Sequence, residues 1–390
     1  MDRDEITAEV AARLVAGQFP QWAGLPVVPV RLGGWDNITF RLGGELSVRL
    51  PSGQDYAAQV AKEHRWLPVL AGHLPLPVPE PVALGQPTAG FPWPWSVYRW
   101  IEGEPACLGP VTDLTGFAAD LARFLAALYA IDASGGPPPG RHNWFRGDPL
   151  STWDEQTRTC IDRLAADIDA QAARQVWDSA LASPWRQPPV WVHGDITASN
   201  LLLADGILHA VIDFGCAAVG DPACDLVIAW TFFPARAAAT FRRGLPADEA
   251  TWARARGWAL WKALITLAGR HGRDDGQEAA CRFGWRYSPR QVISRVIADN
   301  ARTLLALSRG RRNGYSGTKC VGLPWGARAL AVRRVHLARI GARVHRRVHD
   351  SHAGTLALHR RRQRLNRIRA TRNRPNAPQV VANWIQLIVK

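Results

Sequence analysis

Residues 191–215 read WVHGDITASNLLLADGILHAVIDFG, and the order of residue types in this stretch decides how the chain folds. Val190-Trp191-Val192 is a short apolar run, a strand. After it come His193-Gly194-Asp195 and then Asn200, five residues beyond the aspartate. Two further apolar runs follow, Leu201-Leu202-Leu203 and Ile207 to Ile212, separated by Ala204-Asp205-Gly206. Asp-Gly between apolar runs marks a hairpin, because both residues accept positive φ. A hairpin returns the chain on itself. Asn200 at its start and Asp213 at its end should therefore become neighbours, with Asp213-Phe214-Gly215 closing the segment. The plainer alternative is a surface hairpin with ordinary loop carboxylates; polar groups in this order at both ends of one hairpin weigh against it.

An aspartate, four residues, an asparagine and a later Asp-Phe-Gly is the spacing of the protein-kinase catalytic loop and metal-binding segment. Phosphoryl transfer needs few protein groups, but they must converge: one carboxylate at the acceptor hydroxyl, and an amide and a second carboxylate holding Mg²⁺ on the nucleotide phosphates. Asp195, Asn200 and Asp213 supply such a set. His193-Gly194-Asp195, with Gly220-Asp221-Pro222-Ala223-Cys224-Asp225-Leu226 after the second aspartate, resembles the aminoglycoside phosphotransferase family over about residues 5–300. The resemblance implies an α+β, two-lobed protein-kinase-like fold. A β-rich nucleotide-binding lobe would occupy 1–100 and a helical catalytic and acceptor-binding lobe 101–300. It implies Mg²⁺-dependent transfer from ATP or GTP to a hydroxyl of a small molecule, an aminoglycoside-type antibiotic first. A metabolite acceptor such as a sugar or amino alcohol, or an inactive kinase-like binding protein, stand as alternatives. It also gives Asp225 a structural task, bracing the catalytic loop.

The amino-terminal part reads as helix, turn and strands. Ile6 to Gly17 is an amphipathic helix ended by Gly17 and Pro20. Arg31 to Asn37 forms a turn in which Gly33 and Gly34, with Asn37 at its end, let backbone N–H groups approach phosphate; a plain hairpin is the equal alternative. Leu46 to Leu50 is the next strand. Relatives place a phosphate-contacting lysine here, paired with a helix glutamate, and this chain has Arg49. The charge is kept, but a guanidinium is a planar fork and not a point. Asp55 to Leu70 reads as helix and carries Glu63, either the partner of Arg49 or a solvated glutamate. Ser96 to Gly103 falls where the resemblance puts the interlobe hinge, with backbone groups of Arg99 and Ile101 on the base of the nucleotide. The tryptophans around Phe91-Pro92-Trp93-Pro94-Trp95 read as core residues before stacking platforms.

Further on, Leu114–Ala130, 153–168, 248–267 and 291–300 read as helices. Asp154 and Glu155 in the second of these either complement the helix N-terminus or face a cationic acceptor.

Composition narrows the classes. No run approaches the roughly 20 apolar residues of a membrane span, and the start, Met1-Asp2-Arg3-Asp4-Glu5, shows no secretion signal. The six cysteines are scattered without metal spacing, which suits a reduced, cytoplasmic protein. The net charge of +15 is unevenly placed. Residues 301–390 hold 21 of the 48 basic residues and a single acid, Asp350; the first 300 hold 27 basic and 32 acidic residues, a net of −5. A mildly acidic body suits a cationic acceptor. The basic tail, with its arginine run from Arg360 to Arg374, has three readings: electrostatic nucleic-acid binding, a tail without a dedicated role, or out-of-frame translation. Loss of acids and of periodicity favours the last two, so nucleic acid is expected as a partner only through the tail.

Overall fold

Leu46, Val48 and Leu50 alternate along one strand and all three are buried, the period-two signature of a sheet with one face on a core. The computed structural model describes residues 1–30, 33–269 and 284–313, with the side chains of 307–313 left aside. Arg31, Leu32, Cys281, Cys320 and the arginine run lie outside the described residues.

Chain order begins with α1 (Ala8–Gln18), capped by the Thr7 hydroxyl. Strands β1 (Val27–Pro29), β2 (Asn37–Leu42) and β3 (Leu46–Pro51) precede α2 (Ala57–Ala71), and β4 (Pro81–Gly85) and β5 (Trp95–Arg99) follow it. The five strands form one antiparallel sheet in the order β1-β2-β3-β5-β4. Val10, Ala11, Leu14 and Val15 of α1 pack in one core with Phe40, Leu42, Val48, Leu50, Trp95 and Val97. Helix α2 faces the other way: Leu67 and Leu70 join the core of the helical lobe, as does Tyr98. The lobes are thus coupled through α2 and the end of β5.

The second lobe contains β6 (Glu104–Pro105), α3 (Leu114–Ala130), α4 (Asp154–Arg163), α5 (Ala170–Leu181), β7 (Val190–Val192), β8 (Leu201–Ala204), β9 (Ile207–Val211) and β10 (Ala218–Gly220). Helices α6 (Ile228–Thr231), α7 (Ala235–Arg243), α8 (Glu249–Gly269) and α9 (Pro289–Asn313) complete it. Strands β8 and β9 form the expected hairpin, paired from Leu201↔Val211 to Ala204↔Ile207. Asp205 (φ 53°) and Gly206 (φ 75°) make its turn, and a Cβ on Gly206 would come within 2.5 Å of Thr112. Strand β6 flanks the hairpin and β10 pairs with β7, so the whole catalytic segment is fastened at both margins.

Several expected helices end differently. Regular α4 stops at Arg163, and turns carry the chain from there to Ile168. Helices α5 and α7 were not anticipated. The buried stripe of α5 is Ala173, Val176, Trp177 and Ala180, at helical spacing but too alanine-rich to stand out. Helix α9 runs on to Asn313, beyond the expected helix end at 300.

Helix α8 is buried on nearly every side, which hides the amphipathic pattern of a surface helix. Its charges are matched instead. Arg254 donates to both oxygens of Asp221 (Nε 2.6 Å, Nη2 3.1 Å), and both residues are buried. Arg256 bonds Glu249 and Asp299, which ties α8 to α9. Removing one member of a buried pair leaves an uncompensated charge, at about 3–5 kcal/mol. Arg254→Met should lower unfolding free energy in urea by that order, and adding Asp221→Asn should recover part of it; a loss below about 1 kcal/mol would show the pair to be dispensable.

Candidate active site

Asp225 organises the loop from His193 to Asn200. Its two carboxylate oxygens accept the backbone N–H groups of His193 (2.9 Å) and Gly194 (2.7 Å). This is the bracing task expected of it. Burial pushes its carboxyl up to about 6, against the opposing pull of His193 and the two amides. Gly194 has φ 82°, and a Cβ there would sit 2.5 Å from the Cys216 carbonyl, so only glycine lets the loop cross here. The His193 ring then joins two segments. Its Nδ1 accepts from the Asp195 N–H (3.2 Å), so the proton sits on Nε2, which donates to the Ile212 carbonyl (3.1 Å). Phe214 packs edge-on against that ring at 4.6 Å.

These bonds bring the predicted residues together. The Asn200 amide nitrogen donates to the backbone carbonyl (3.0 Å) and to Oδ2 (3.2 Å) of Asp195. The Ile212 N–H donates to the Asn200 carbonyl (2.9 Å), so the chain delivers Asp213 directly beside Asn200. Asp213 takes a left-handed conformation, φ 65° and ψ 70°, which an aspartate tolerates at a cost of roughly 1–2 kcal/mol. Because the Asn200 nitrogen is turned to Asp195, its amide oxygen is left for a cation. That oxygen and the Asp213 carboxylate are hard donors, which fits Mg²⁺.

Arg49 on β3 bridges both lobes. It donates to Glu63 on α2 (3.3 and 3.4 Å) and through Nη2 to Asp213 Oδ1 (2.9 Å). Tyr98 donates to the same Glu63 (2.7 Å), and Arg49 stacks over its ring at 5.5 Å. Glu63 is buried, so the solvated alternative is set aside. Burial works to lower the Arg49 pKa, but Glu63 and Asp213 outweigh it and hold the guanidinium above its usual value.

Other expected positions fare differently. The Arg99 N–H donates to the Glu80 carbonyl (3.0 Å), so at this residue only the carbonyl can meet a base edge; its side chain is half exposed near Glu45 and Glu80. Ile101 lies past the end of β5, half-buried. At Gly33 a Cβ would meet nothing within 4 Å, so the protein's own packing does not demand glycine there; at Gly34 it would approach the Asn37 carbonyl at 3.2 Å. Arg3 instead ties this turn from outside, donating to the carbonyls of Gly34 and Trp35. Asn37 is buried at the start of β2. Asp154 accepts from Arg158 (2.8 Å) and the Trp177 indole (2.6 Å), so it belongs to the scaffold; Glu155 is exposed.

Three cations here were not anticipated. Lys262 of α8 donates to Asp195 Oδ1 at 2.8 Å. Burial pushes the Asp195 carboxyl up, yet Lys262 and then Arg146 outweigh it and hold it below its usual value. Arg146 is buried against the rings of Trp258 and Trp261. Lys62, next to Glu63, donates to the Gly215 carbonyl (2.7 Å) and meets His142 Nδ1 (3.1 Å). In sequence the one visible signal was Lys262, a lone charge in the apolar run WALWKALITLAG.

Residues 27–258 match the family model described as the phosphotransferase enzyme family. That is more than half of the chain, and the chain belongs to this family. One relative is an aminoglycoside 3'-phosphotransferase of Escherichia coli, 30% identical over 113 residues. That match covers 28% of this chain, which spans only 41% of the relative's length. Among solved structures, the GDP complex of wild-type aminoglycoside 2'-phosphotransferase-IIIa superposes with a TM-score of 0.55 at 18% identity, covering 75% of this chain and 99% of that one. The GDP and kanamycin complex of APH(2")-IIia gives 0.52 at 20%, covering 78% and 99%. At these identities the structural likeness is one of fold.

Burial pushes the Lys62 ammonium down to about 8. A folded pKa below the unfolded value near 10.5 means the native state sheds its proton first. The burial penalty is therefore complete below pH 8 and is relieved as pH rises toward 10.5. The unfolding free energy of wild type minus that of Lys62→Met should climb across this window; a flat difference would place Lys62 in solvent. Separately, Arg49→Ala strands two carboxylates and should cost about 3 kcal/mol, while Arg49→Lys should cost less, both measured by denaturant unfolding.

Proposed function

We propose that the chain is a Mg²⁺-dependent O-phosphotransferase that moves the terminal phosphoryl group of ATP or GTP to a hydroxyl of a small molecule, with an aminoglycoside-type antibiotic as the acceptor class. The observation that carries this reading is the convergence of Asp195, Asn200, Asp213 and Arg49: Asn200 bonds Asp195, Arg49 bonds Asp213, and the Ile212 N–H on the Asn200 carbonyl joins the two pairs. Family membership and the mildly acidic first 300 residues support it.

Asp195 would accept a hydrogen bond from the acceptor hydroxyl and take its proton as the new P–O bond forms and the bond to the leaving nucleoside diphosphate breaks. Transition states of this kind are loose and demand placement more than a strong base. An Asp195 carboxyl that stays ionised suits that task. Asn200 and Asp213 would hold Mg²⁺, which neutralises charge on the donor phosphates. Arg49, fixed by Glu63, would add a second positive group there. The Gly33-Gly34 turn with Asn37 would lie over the phosphates, and the Arg99 carbonyl with Ile101 would meet the base. No helix among the described residues is long and apolar enough to cross a membrane; we place the protein in the cytoplasm.

The test is an acceptor panel with purified protein, ATP or GTP and Mg²⁺, scored by product mass. Phosphorylated aminoglycosides are expected. Product from sugars or amino alcohols alone would move the acceptor class, and no product from any acceptor would leave a binding scaffold. Asp195→Ala should lower turnover by about 10²–10⁴ with nucleotide affinity nearly intact. Asp213→Asn should weaken Mg²⁺-nucleotide binding and turnover together; equal nucleotide affinity with Mg²⁺ and with a chelator would refute the metal assignment.

A further inference from the structure

Helix α8 carries three cations on its buried length, and each is matched to an anion from another part of the lobe or from its own start. Arg254 holds Asp221, and Arg256 holds Glu249 and Asp299; neither contact involves the residues of the site. Lys262 is different. It is the last cation before the apolar end of the helix, its side chain is 12% exposed, and its ammonium donates to Asp195 Oδ1 at 2.8 Å. Ala263, Leu264 and Ile265, which follow it on the helix, are buried. A buried ammonium without a partner is strongly disfavoured, which fixes Nζ on the carboxylate.

We propose that Lys262 is a positioning residue of the transfer reaction: it holds the Asp195 carboxylate by Oδ1 in the orientation that meets the acceptor hydroxyl, and it offsets the charge that Asp195 sets against the incoming phosphoryl group. The proposal rests on the reading of Asp195 as the acceptor-facing group. Asn200 grips Oδ2 from the other side at 3.2 Å, so the two donors together set the plane of the carboxylate. Each oxygen keeps a lone pair for the hydroxyl. An aspartate with only its backbone to orient it would rotate about χ2, whose torsional well is broad. Charge supports the same role. The donor phosphates bring several negative charges to a carboxylate already close to Asp225. Arg146 counters part of that field, but Lys262 exerts the largest favourable influence on Asp195 and is the cation bonded to it. In the transfer itself the hydroxyl oxygen bonds to phosphorus, the bond to the diphosphate breaks and the proton goes to Asp195. Lys262 keeps its protons throughout.

A scaffold role would need only that Lys262 neutralise a buried carboxylate, so the test must separate stability from turnover. Full-length wild type, Lys262→Met, Lys262→Arg, Asp195→Asn and the Lys262→Met/Asp195→Asn double variant are compared with ATP or GTP, Mg²⁺ and kanamycin, and with water alone as the acceptor. Tm and nucleotide Kd are measured on each. Losing one charge-assisted hydrogen bond that orients the carboxylate should lower kcat of Lys262→Met about 10- to 150-fold, with nucleotide Kd changed less than about threefold. Lys262→Arg, which keeps charge and donor, should recover most of that loss. In the Asp195→Asn background the Lys262→Met change should slow kcat by no more than about threefold, because the group it positions is already disabled. Lys262→Met at wild-type kcat overturns the proposal while leaving Asp195 in place. A full additional loss in the double variant also overturns it, since Lys262 would then act apart from Asp195. Asp195→Asn at wild-type kcat overturns both this inference and the reading beneath it. If Lys262→Met fails to fold, Lys262→Arg and Lys262→Gln decide by the same kcat comparison.

Discussion

The contact on which the site depends is the pair of hydrogen bonds from His193 and Gly194 to the buried Asp225 carboxylate. Two consecutive N–H groups pointing at one carboxylate force the backbone through a left-handed residue, which only Gly194 can supply at that distance from Cys216. Once the loop is fixed this way, the His193 ring has one arrangement in which both nitrogens are satisfied. It then sets the separation between the loop and the segment ending in Asp213. Removing Asp225 would therefore release two orphaned amides and, with them, the spacing of Asp195 and Asp213.

Electrostatics in this protein are local and paired. The three cations of α8 are each set against a carboxylate from another element, while Arg146 packs on Trp258 and Trp261 and Lys62 donates to the Gly215 carbonyl. Asp221 with Arg254 closes the helical lobe, Asp299 with Arg256 ties α8 to α9, and Asp195 with Lys262 joins the same helix to the 193–200 loop. Buried pairs of this kind add little net stability relative to apolar packing, yet each is costly to break singly. Their effect is to fix register. Helix α8 cannot slide or rotate without stranding three charges, and this rigidity is what a placed carboxylate requires.

Arginine in place of lysine on β3 gives the interlobe contact a particular form. One guanidinium reaches Glu63 with Nη1 and Asp213 with Nη2, so a single planar group joins strand, helix and the segment that ends in Asp213. An ammonium would be a point charge between the same two carboxylates. The fork specifies an angle as well as a distance, and Tyr98 beneath the ring plane, itself bonded to Glu63, holds that angle.

The ordered residues from His193 to Asp213 were legible without coordinates because their spacing along a hairpin is itself geometric; Asp225 was expected from the family resemblance. Turn chemistry at Asp205-Gly206 sets the return, and the return brings Asn200 to Asp213. Arg49 with Glu63 was expected from the family resemblance, which pairs a basic strand residue with a helix glutamate; periodicity gave only the strand and the helix that carry them. What the sequence did not disclose is everything that depends on long-range packing. Lys262 lies 67 residues from Asp195 and meets it only because α8 is buried against the catalytic loop. Lys62 reaches Gly215 across 153 residues for the same kind of reason. Helix α5 was hidden because half of its buried face is alanine, and the fate of the Arg99 N–H because the Glu80 carbonyl arrives from a neighbouring strand's approach. Local patterns determine which groups can converge. Which cation each carboxylate receives is decided by side chains meeting across the core, and that choice belongs to the tertiary structure alone.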